Sequence, residues 1–119
     1  MTENEYGAIL ISDDVVASIS KKAALETDGV ASLSGGLSEG IARRISGKNA
    51  HKGVSVEVGT VEAAIDLRIT VRYGSRIHEV CRALQANVKE AVESMTGLKV
   101  AEVNVKVEGV AFRDEVLQA

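Results

Sequence analysis

The sequence contains no proline, no tryptophan, one phenylalanine, two tyrosines and a single cysteine, Cys81. This scarcity of aromatic side chains leaves few groups that could stack on nucleic-acid bases, sugars or a flat cofactor. One cysteine cannot form a disulfide within the chain, so the sequence does not require an oxidising compartment. We therefore expect a cytoplasmic protein.

Long apolar runs are also missing. Nowhere do 18 apolar residues follow one another, so we expect no transmembrane segment. The N-terminal sequence MTENEYGAILIS lacks the basic start and the apolar stretch of a signal peptide. Any attachment to the inner face of the membrane is therefore expected to depend on a partner or a surface patch.

Charge and length set further limits. The net charge is −3, which argues against nucleic-acid binding driven by the charge of the whole domain. The 119 residues fit one domain, which would bury roughly two-thirds of its unfolded surface. We expect a single domain over 1–119, with flexible tails at 1–5 and 113–119.

What the sequence does contain is hydrophobic periodicity. Apolar residues alternate with polar ones over 54–58, 65–73 and 103–107, which predicts strands with one buried and one solvated face. Shorter strands are predicted at Tyr6–Ile11 and Val30–Leu33. The turn Gly59–Glu62 is predicted to join two of the long strands as a hairpin.

Two helices complete the pattern. The first is predicted over 13–27, with Ser12 as N-cap and Gly29 ending it. The second is predicted to begin after the N-cap Ser75 and to end at Gly97. The predicted apolar stripes are Val15, Val16, Ile19, Ala23 and Leu25 or Glu26 in the first helix, and Ile77, Val80, Cys81, Leu84, Val88, Ala91, Val92 and Met95 in the second. These elements predict an α+β fold, a two-layer sandwich with a mostly antiparallel or mixed sheet and two main helices packed on one face.

A glycine-rich, basic connection over 34–53 interrupts this pattern, and we expect it to be mobile and to carry a short helix over 37–45. It contains the cationic candidates Arg43, Arg44, Lys48, His51 and Lys52. Such a cluster in an acidic chain could contact anionic lipid, nucleic acid or an acidic partner, and the alternative is a solvated loop. The same connection contains GGLSEG, which lacks the spacing of a phosphate-binding loop.

Few residues are candidates for catalysis or metal binding. Cys81 lies one helical turn from His78, but it falls on the apolar stripe, where a free cysteine usually behaves as a small buried hydrophobe. The two histidines and one cysteine do not form a metal-binding pattern. We assign no catalytic, cofactor-binding or metal-binding residue, and we expect no cofactor.

The order of the motifs is more informative than their chemistry. The segments KGVSVEVG, AIDL followed by VRYG, ESMTGL and VNVKVEGV occur in this order, and the chain over about 7–112 resembles the alkaline-shock / general-stress protein family of Gram-positive bacteria. Members of this family are often described as envelope stress response proteins. His78 departs from the family pattern, which commonly has proline after the isoleucine at the helix start.

The resemblance implies a non-enzymatic cytoplasmic protein that acts in envelope stress or homeostasis. It also implies contacts with a membrane-anchored protein partner, and we expect self-association through an exposed sheet edge. Two alternatives stay open: a nucleic-acid-binding domain that uses the basic loop at 43–52, and a binder of a small ligand such as a nucleotide or an acyl-CoA.

Overall fold

A computed structural model describes residues 2–34 and 52–112 of the chain, with side chains from residue 5 onward. The first described element is a hairpin of two short antiparallel strands, β1 (Thr2–Asn4) and β2 (Gly7–Ile9). The hairpin includes part of the segment expected to be an N-terminal tail, and the flexibility of that segment stays a prediction.

A four-stranded sheet forms one layer of the fold. It contains β3 (Val30–Leu33), β4 (Val54–Val58), β5 (Glu62–Arg72) and β6 (Lys99–Ala111). The long β5 is central, because β6 pairs parallel to it along one side while β4 and β3 pair antiparallel to it, one after the other, along the opposite side. The predicted hairpin turn joins β4 to β5, and the Gly59 amide donates to the Glu62 carbonyl at 2.7 Å.

The second layer consists of two helices, α1 (Asp13–Leu25) and α2 (Ile77–Thr96), packed on the same face of the sheet. Helix α2 is the crossover between the parallel strands β5 and β6, a connection that parallel pairing requires. Alternation along β5 buries Ile65, Leu67 and Ile69 under the helices and exposes Asp66 and Arg68 on the other face. The predicted two-layer α+β fold with a mixed sheet and two helices on one face is confirmed.

The ends of the helices test the capping predictions. The Ser12 hydroxyl accepts from the Val15 amide at 3.4 Å, so the predicted N-cap of α1 is confirmed. Gly29 does not end α1, since the C-cap is Glu26 and Gly29 lies beyond it, where the chain turns into β3 with a φ of 95°. Its Cα faces the Val80 side chain, where an added Cβ would come to 2.5 Å of Cγ2.

Of the two caps predicted for helix α2, the C-cap is correct and the N-cap is wrong. Gly97 ends it in the left-handed conformation, and its amide donates to the Glu93 carbonyl at 3.0 Å, as expected for a glycine C-cap. The predicted N-cap Ser75 is wrong, because the chain stays in a turn until Arg76, whose side chain makes no capping bond. The first turn of α2 therefore keeps its amides free of side-chain caps.

The apolar stripes were correct in the middle of each helix and wrong at the ends. In α2 the fully buried positions are Val80, Leu84, Val88 and Val92, whereas Ile77 and Met95 are exposed. In α1 the buried positions are Val16, Ala17, Ser20, Ala23 and Ala24, whereas Val15 and Leu25 are exposed. Helix α1 is thus rotated toward its small residues, which let it pack closely against the sheet and α2.

Candidate functional site

The basic segment predicted from the sequence lies almost wholly outside the described residues. Arg43, Arg44, Lys48 and His51 fall there, as do GGLSEG and the short helix predicted over 37–45. Lys52 is described, and its side chain is exposed. A role for these cations therefore stays a prediction.

The structure does show where this segment is attached. The Ser34 amide donates to the Arg68 carbonyl at 2.7 Å, and the Arg68 amide donates to the Gly53 carbonyl at 2.9 Å. Both bonds lie at the point on β5 where its pairing changes from β4 to β3. The chain between Ser34 and Gly53 thus leaves and rejoins the sheet beside the same residue of β5.

Gly53 is required at this attachment by both conformation and space. Its φ is 73°, in the left-handed region that L side chains rarely adopt. A Cβ built on Gly53 would lie 2.9 Å from the Arg68 carbonyl oxygen, the Ser34 carbonyl oxygen and Leu33 Cβ. The side chain of Ser34 is itself held in place, since its hydroxyl lies 2.9 Å from that of Thr70. The base of the basic segment is therefore a tightly packed junction.

The opposite edge of the sheet is formed by β6, and side chains of α2 cover its beginning. The Val100 amide donates to the Glu93 carboxylate at 2.9 Å, and Lys89 Nζ donates to the Val100 carbonyl at 3.3 Å. Gln85 Nε2 donates to the Val103 carbonyl at 2.9 Å. These contacts give the edge strand partners that a neighbouring strand would otherwise supply.

Glu93 is held as a carboxylate by this arrangement. The hydrogen bond from the Val100 amide, together with the Lys89 ammonium at 3.0 Å, lowers the pKa of Glu93 below its ordinary value. The Glu93 carboxylate, which covers the start of β6, therefore stays ionised to more acidic pH than a free glutamate would.

Beyond Val103 the outer edge of β6 has no cover from the part of the chain that the structure describes. Among residues 2–34 and 52–112, none hydrogen-bonds to the outward peptide groups of β6 between Asn104 and Val110. A groove of about 500 Å³ runs between α2 and the start of this edge, lined by residues that include Arg82, Gln85, Ala86 and Val103. The exposed edge expected from the sequence could not be located there, because only the pairing of β6 with β5 shows which strand is outermost.

The face of the sheet away from the helices carries a polar cluster next to this edge. Asn104 Nδ2 donates to Asp66 Oδ1 at 2.8 Å and to Glu102 Oε2 at 3.2 Å. On the same strand, Lys106 Nζ lies 3.8 Å from Glu108 Oε2. Two carboxylates are thus gathered around one amide, with a lysine two residues further along.

Aromatic side chains do not contribute to the core. Tyr6 is 90 % exposed, and Tyr73 and Phe112 are 71 % and 48 % exposed. The rings of Tyr73 and Phe112 contact each other at the ends of β5 and β6, with centroids 5.0 Å apart. Since aromatic residues normally bury large areas, this exposed pair is a candidate contact surface.

The remaining candidate was Cys81. Its side chain is partly buried against the core, and burial raises the pKa of the thiol above its ordinary value. His78, one turn earlier, is exposed. A raised pKa disfavours the thiolate, which agrees with the interpretation of Cys81 as a core residue.

Metal-binding clusters and membrane-spanning helices are both absent from the described residues. Within 2–34 and 52–112, no three His, Cys, Asp or Glu side chains are grouped closely enough to hold a metal ion. No helix within 2–34 or 52–112 has the length and apolar character needed to cross a bilayer.

Comparison with known proteins places the chain in a family. A sequence model of the alkaline-shock protein family, described as having a cell envelope-related function, matches residues 1–112. YqhY of Bacillus subtilis is 31 % identical over 92 % of this chain and 82 % of its own length, and YloU of the same organism is 33 % identical over 89 % and 90 %. A stress response regulator gls24 homolog of Streptococcus pyogenes is 30 % identical over 97 % of this chain, which spans 65 % of that protein.

Solved structures show the same fold at low identity. A MamM-CTD structure matches with a TM-score of 0.51 at 18 % identity, covering 82 % of this chain and 99 % of that one. A copper form of a MamM CTD variant matches with a TM-score of 0.52 at 17 % identity, covering 82 % and 98 %. The family assignment rests on sequence, through the match to residues 1–112 and the relatives in Bacillus and Streptococcus, and it confirms the resemblance seen in the motifs. The chain belongs to the alkaline-shock / general-stress protein family, whose function is related to the cell envelope.

Proposed function

We propose that this protein is a non-enzymatic interaction module of the envelope stress response, which works through protein–protein contacts at the cytoplasmic face of the membrane. Its attachment there depends on a membrane-anchored protein partner, and copies of the chain associate with one another. The description of the family and the stress-regulator relative support the envelope and stress parts of this proposal.

The observation that carries the interaction role is the outer edge of β6. This strand of 13 residues pairs with β5 on one side, and beyond Val103 its outer side has no backbone partner among the described residues, so another chain can add a strand there. The exposed Tyr73–Phe112 pair at the end of the same strand adds the residue types enriched at protein interfaces.

The basic segment offers a second candidate contact surface. The described residues at its two ends, Ser34 and Gly53, meet β5 at Arg68, on the side of β5 away from β6. Nucleic-acid binding by this segment, and binding of a nucleotide or an acyl-CoA, remain predictions that no described residue favours over the interaction role.

Membrane fractions provide the test. We expect the purified protein to sediment with native membranes of its host, and to lose this binding when the membranes are first treated with protease and washed. Protein-free vesicles of the extracted lipids should not bind it. Equal binding to vesicles would contradict a protein partner, and failure to bind native membranes would contradict the whole proposal.

A charge-reversed variant locates the contact. Replacing Arg43, Arg44, Lys48 and Lys52 by Glu should reduce sedimentation with native membranes if the basic segment makes the contact. Lys21→Glu, a single reversal at an exposed position of α1, serves as a control for charge alone. Unchanged binding of the fourfold variant would assign the partner contact to another surface.

A further inference from the structure

We infer that the outer edge of β6 pairs antiparallel with the same edge of a second copy of this chain, around a two-fold axis at Val105. This inference deepens the proposed interaction role, since it names one partner and one register. It is carried by the direction of the peptide groups along β6 and by the charges beside them.

The outward direction of the backbone is fixed by contacts with α2. The Val100 amide and carbonyl and the Val103 carbonyl all bond to α2 side chains, so these peptide groups point away from β5. Val100 and Val103 both point outward, although they are three residues apart, because the register with β5 shifts between them. From Val103 the direction alternates regularly, so Val105 and Val107 also present their amides and carbonyls to the outside.

Two irregularities limit where a second strand can pair. The register between β5 and β6 shifts after Val100 and again after Val107, which leaves 102–107 as the regular stretch. Within it the outward residues are Val103, Val105 and Val107, and Val105 is their midpoint. A two-fold axis at Val105 pairs Val105 with its own copy and Val103 with Val107, which supplies about six backbone hydrogen bonds.

This register brings a lysine to an acidic cluster near its centre. At its ends it sets Glu102 of one copy opposite Glu108 of the other, a like-charge pair that Lys106, 3.8 Å from Glu108, partly offsets. The same register places Lys106 of one copy opposite Asn104 of the other, on the face of the sheet away from the helices. Asn104 is bonded to the carboxylates of Asp66 and Glu102, so Lys106 would meet two negative groups within the reach of directly opposite and diagonal cross-strand pairs. The axis repeats this contact, because each copy supplies both the lysine and the acidic cluster.

The helix side of the edge also has room for the pairing. Val107 of the second copy, opposite Val103, would enter the groove between α2 and β6, beside Gln85 and Ala86. Gln85 can keep its bond to the Val103 carbonyl, since that oxygen has a second lone pair for the new strand. Val105 and Val107, now only partly buried, would become covered.

Disulfide cross-linking tests the register. In a Cys81→Ser background, Asn104→Cys and Lys106→Cys would be prepared separately, mixed in equal amounts and oxidised. Directly opposite residues of a non-hydrogen-bonded pair have Cα atoms about 4.5 Å apart, within the range of a disulfide. We expect covalent dimers in the mixture and few in either variant alone. Equal yields in all three samples would overturn the register.

Solution association tests the surface itself. By sedimentation equilibrium, wild type should form dimers, and Lys106→Glu should weaken them at least about tenfold, because the axis repeats each lost contact. The exchange Lys106→Glu/Glu102→Lys should restore much of the affinity. Lys52→Glu, the same charge change on the opposite edge, should leave the affinity unchanged.

Each result decides between the alternatives. A wild-type protein that stays monomeric at about 100 μM, or equal effects of Lys106→Glu and Lys52→Glu, would overturn this inference. Circular dichroism of each variant checks that the fold is intact. Binding to native membranes is measured separately, so a monomeric protein that still binds them would refute the β6 pairing and leave the proposed partner contact standing.

Discussion

Gly53→Ala provides a sharp test of the packing at the base of the basic segment. An alanine there would hold a left-handed φ, which costs about 1 kcal/mol. Its Cβ would also lie 2.9 Å from two carbonyl oxygens and from Leu33 Cβ. Because two of these neighbours are backbone atoms bonded into the sheet, relief requires a shift of β3 or β5. We expect overpacking to add about 1–3 kcal/mol, so the free energy of unfolding should fall by about 2–4 kcal/mol.

Gly97→Ala is the matched control. Gly97 has nearly the same φ, 79°, but nothing lies within 4 Å of an added Cβ. Gly97→Ala should therefore lower the free energy of unfolding only by the cost of the left-handed φ, about 1 kcal/mol. Urea unfolding measures both variants, and in a chain of 119 residues the difference should also appear as several degrees in Tm. If Gly53→Ala costs no more than Gly97→Ala, the close junction at Arg68 is refuted.

Three further predictions concern the helix layer. Ser20→Ala should leave stability unchanged or raise it by about 1–2 kcal/mol, since the buried Ser20 hydroxyl has no partner among the described groups. A loss above about 1 kcal/mol in urea unfolding would show that this hydroxyl makes a stabilising hydrogen bond. Leu84→Ala should cost about 2–5 kcal/mol, whereas Met95→Ala, 72 % exposed on the same helix, should stay within about 0.5 kcal/mol; similar losses would contradict the observed facing of α2. The pKa of Glu93 is lowered in the folded state, so its contribution to stability is present above the ordinary glutamate pKa and is lost as the pH falls through the folded-state pKa. Glu93→Gln should therefore reduce the free energy of unfolding at neutral pH, and by less at acid pH, as measured by urea unfolding. A reduction that does not change with pH would argue against the Val100 contact.

The sequence predicted the sheet well because alternation directly reports burial. Along β5 the large apolar residues Ile65, Leu67 and Ile69 all face the helices, and one slip in register would expose them all, so the pattern is strongly constrained. The turn at Gly59 and the cap at Gly97 were also predictable, since each depends on local chemistry alone.

The wrong predictions concern helix ends and faces that are determined by tertiary packing. Ser75 has good capping chemistry, but the chain needs one more residue to turn from β5 onto the helix layer, so α2 begins after Arg76. Val15 is apolar but exposed, because α1 turns its small residues Ala17 and Ser20 inward to approach its neighbours. In each case a local preference was outweighed by a contact distant in sequence.

The candidate surfaces were predictable to different degrees. A cluster of cationic residues can be recognised from a sequence alone, so the basic segment was predictable. Its attachment at a single residue, Arg68, was not, because it depends on the pairing of three strands. The outer edge of β6 has no signature of its own, because the same alternation describes a central strand and an edge strand. It is identified only once β5 is known to be paired on both sides.

The central position of β5 has a consequence for how such a module could work. With β6 on one side and the junction at Arg68 on the other, a second copy added at Val105 would extend the sheet away from this junction. Pairing at β6 would therefore leave the junction uncovered in both copies of a dimer. Linking two weak sites in this way raises the affinity for a surface that carries several partner molecules. Lys106→Glu should therefore weaken attachment to native membranes by more than the single contact it removes, if pairing at β6 and binding at the basic segment occur together.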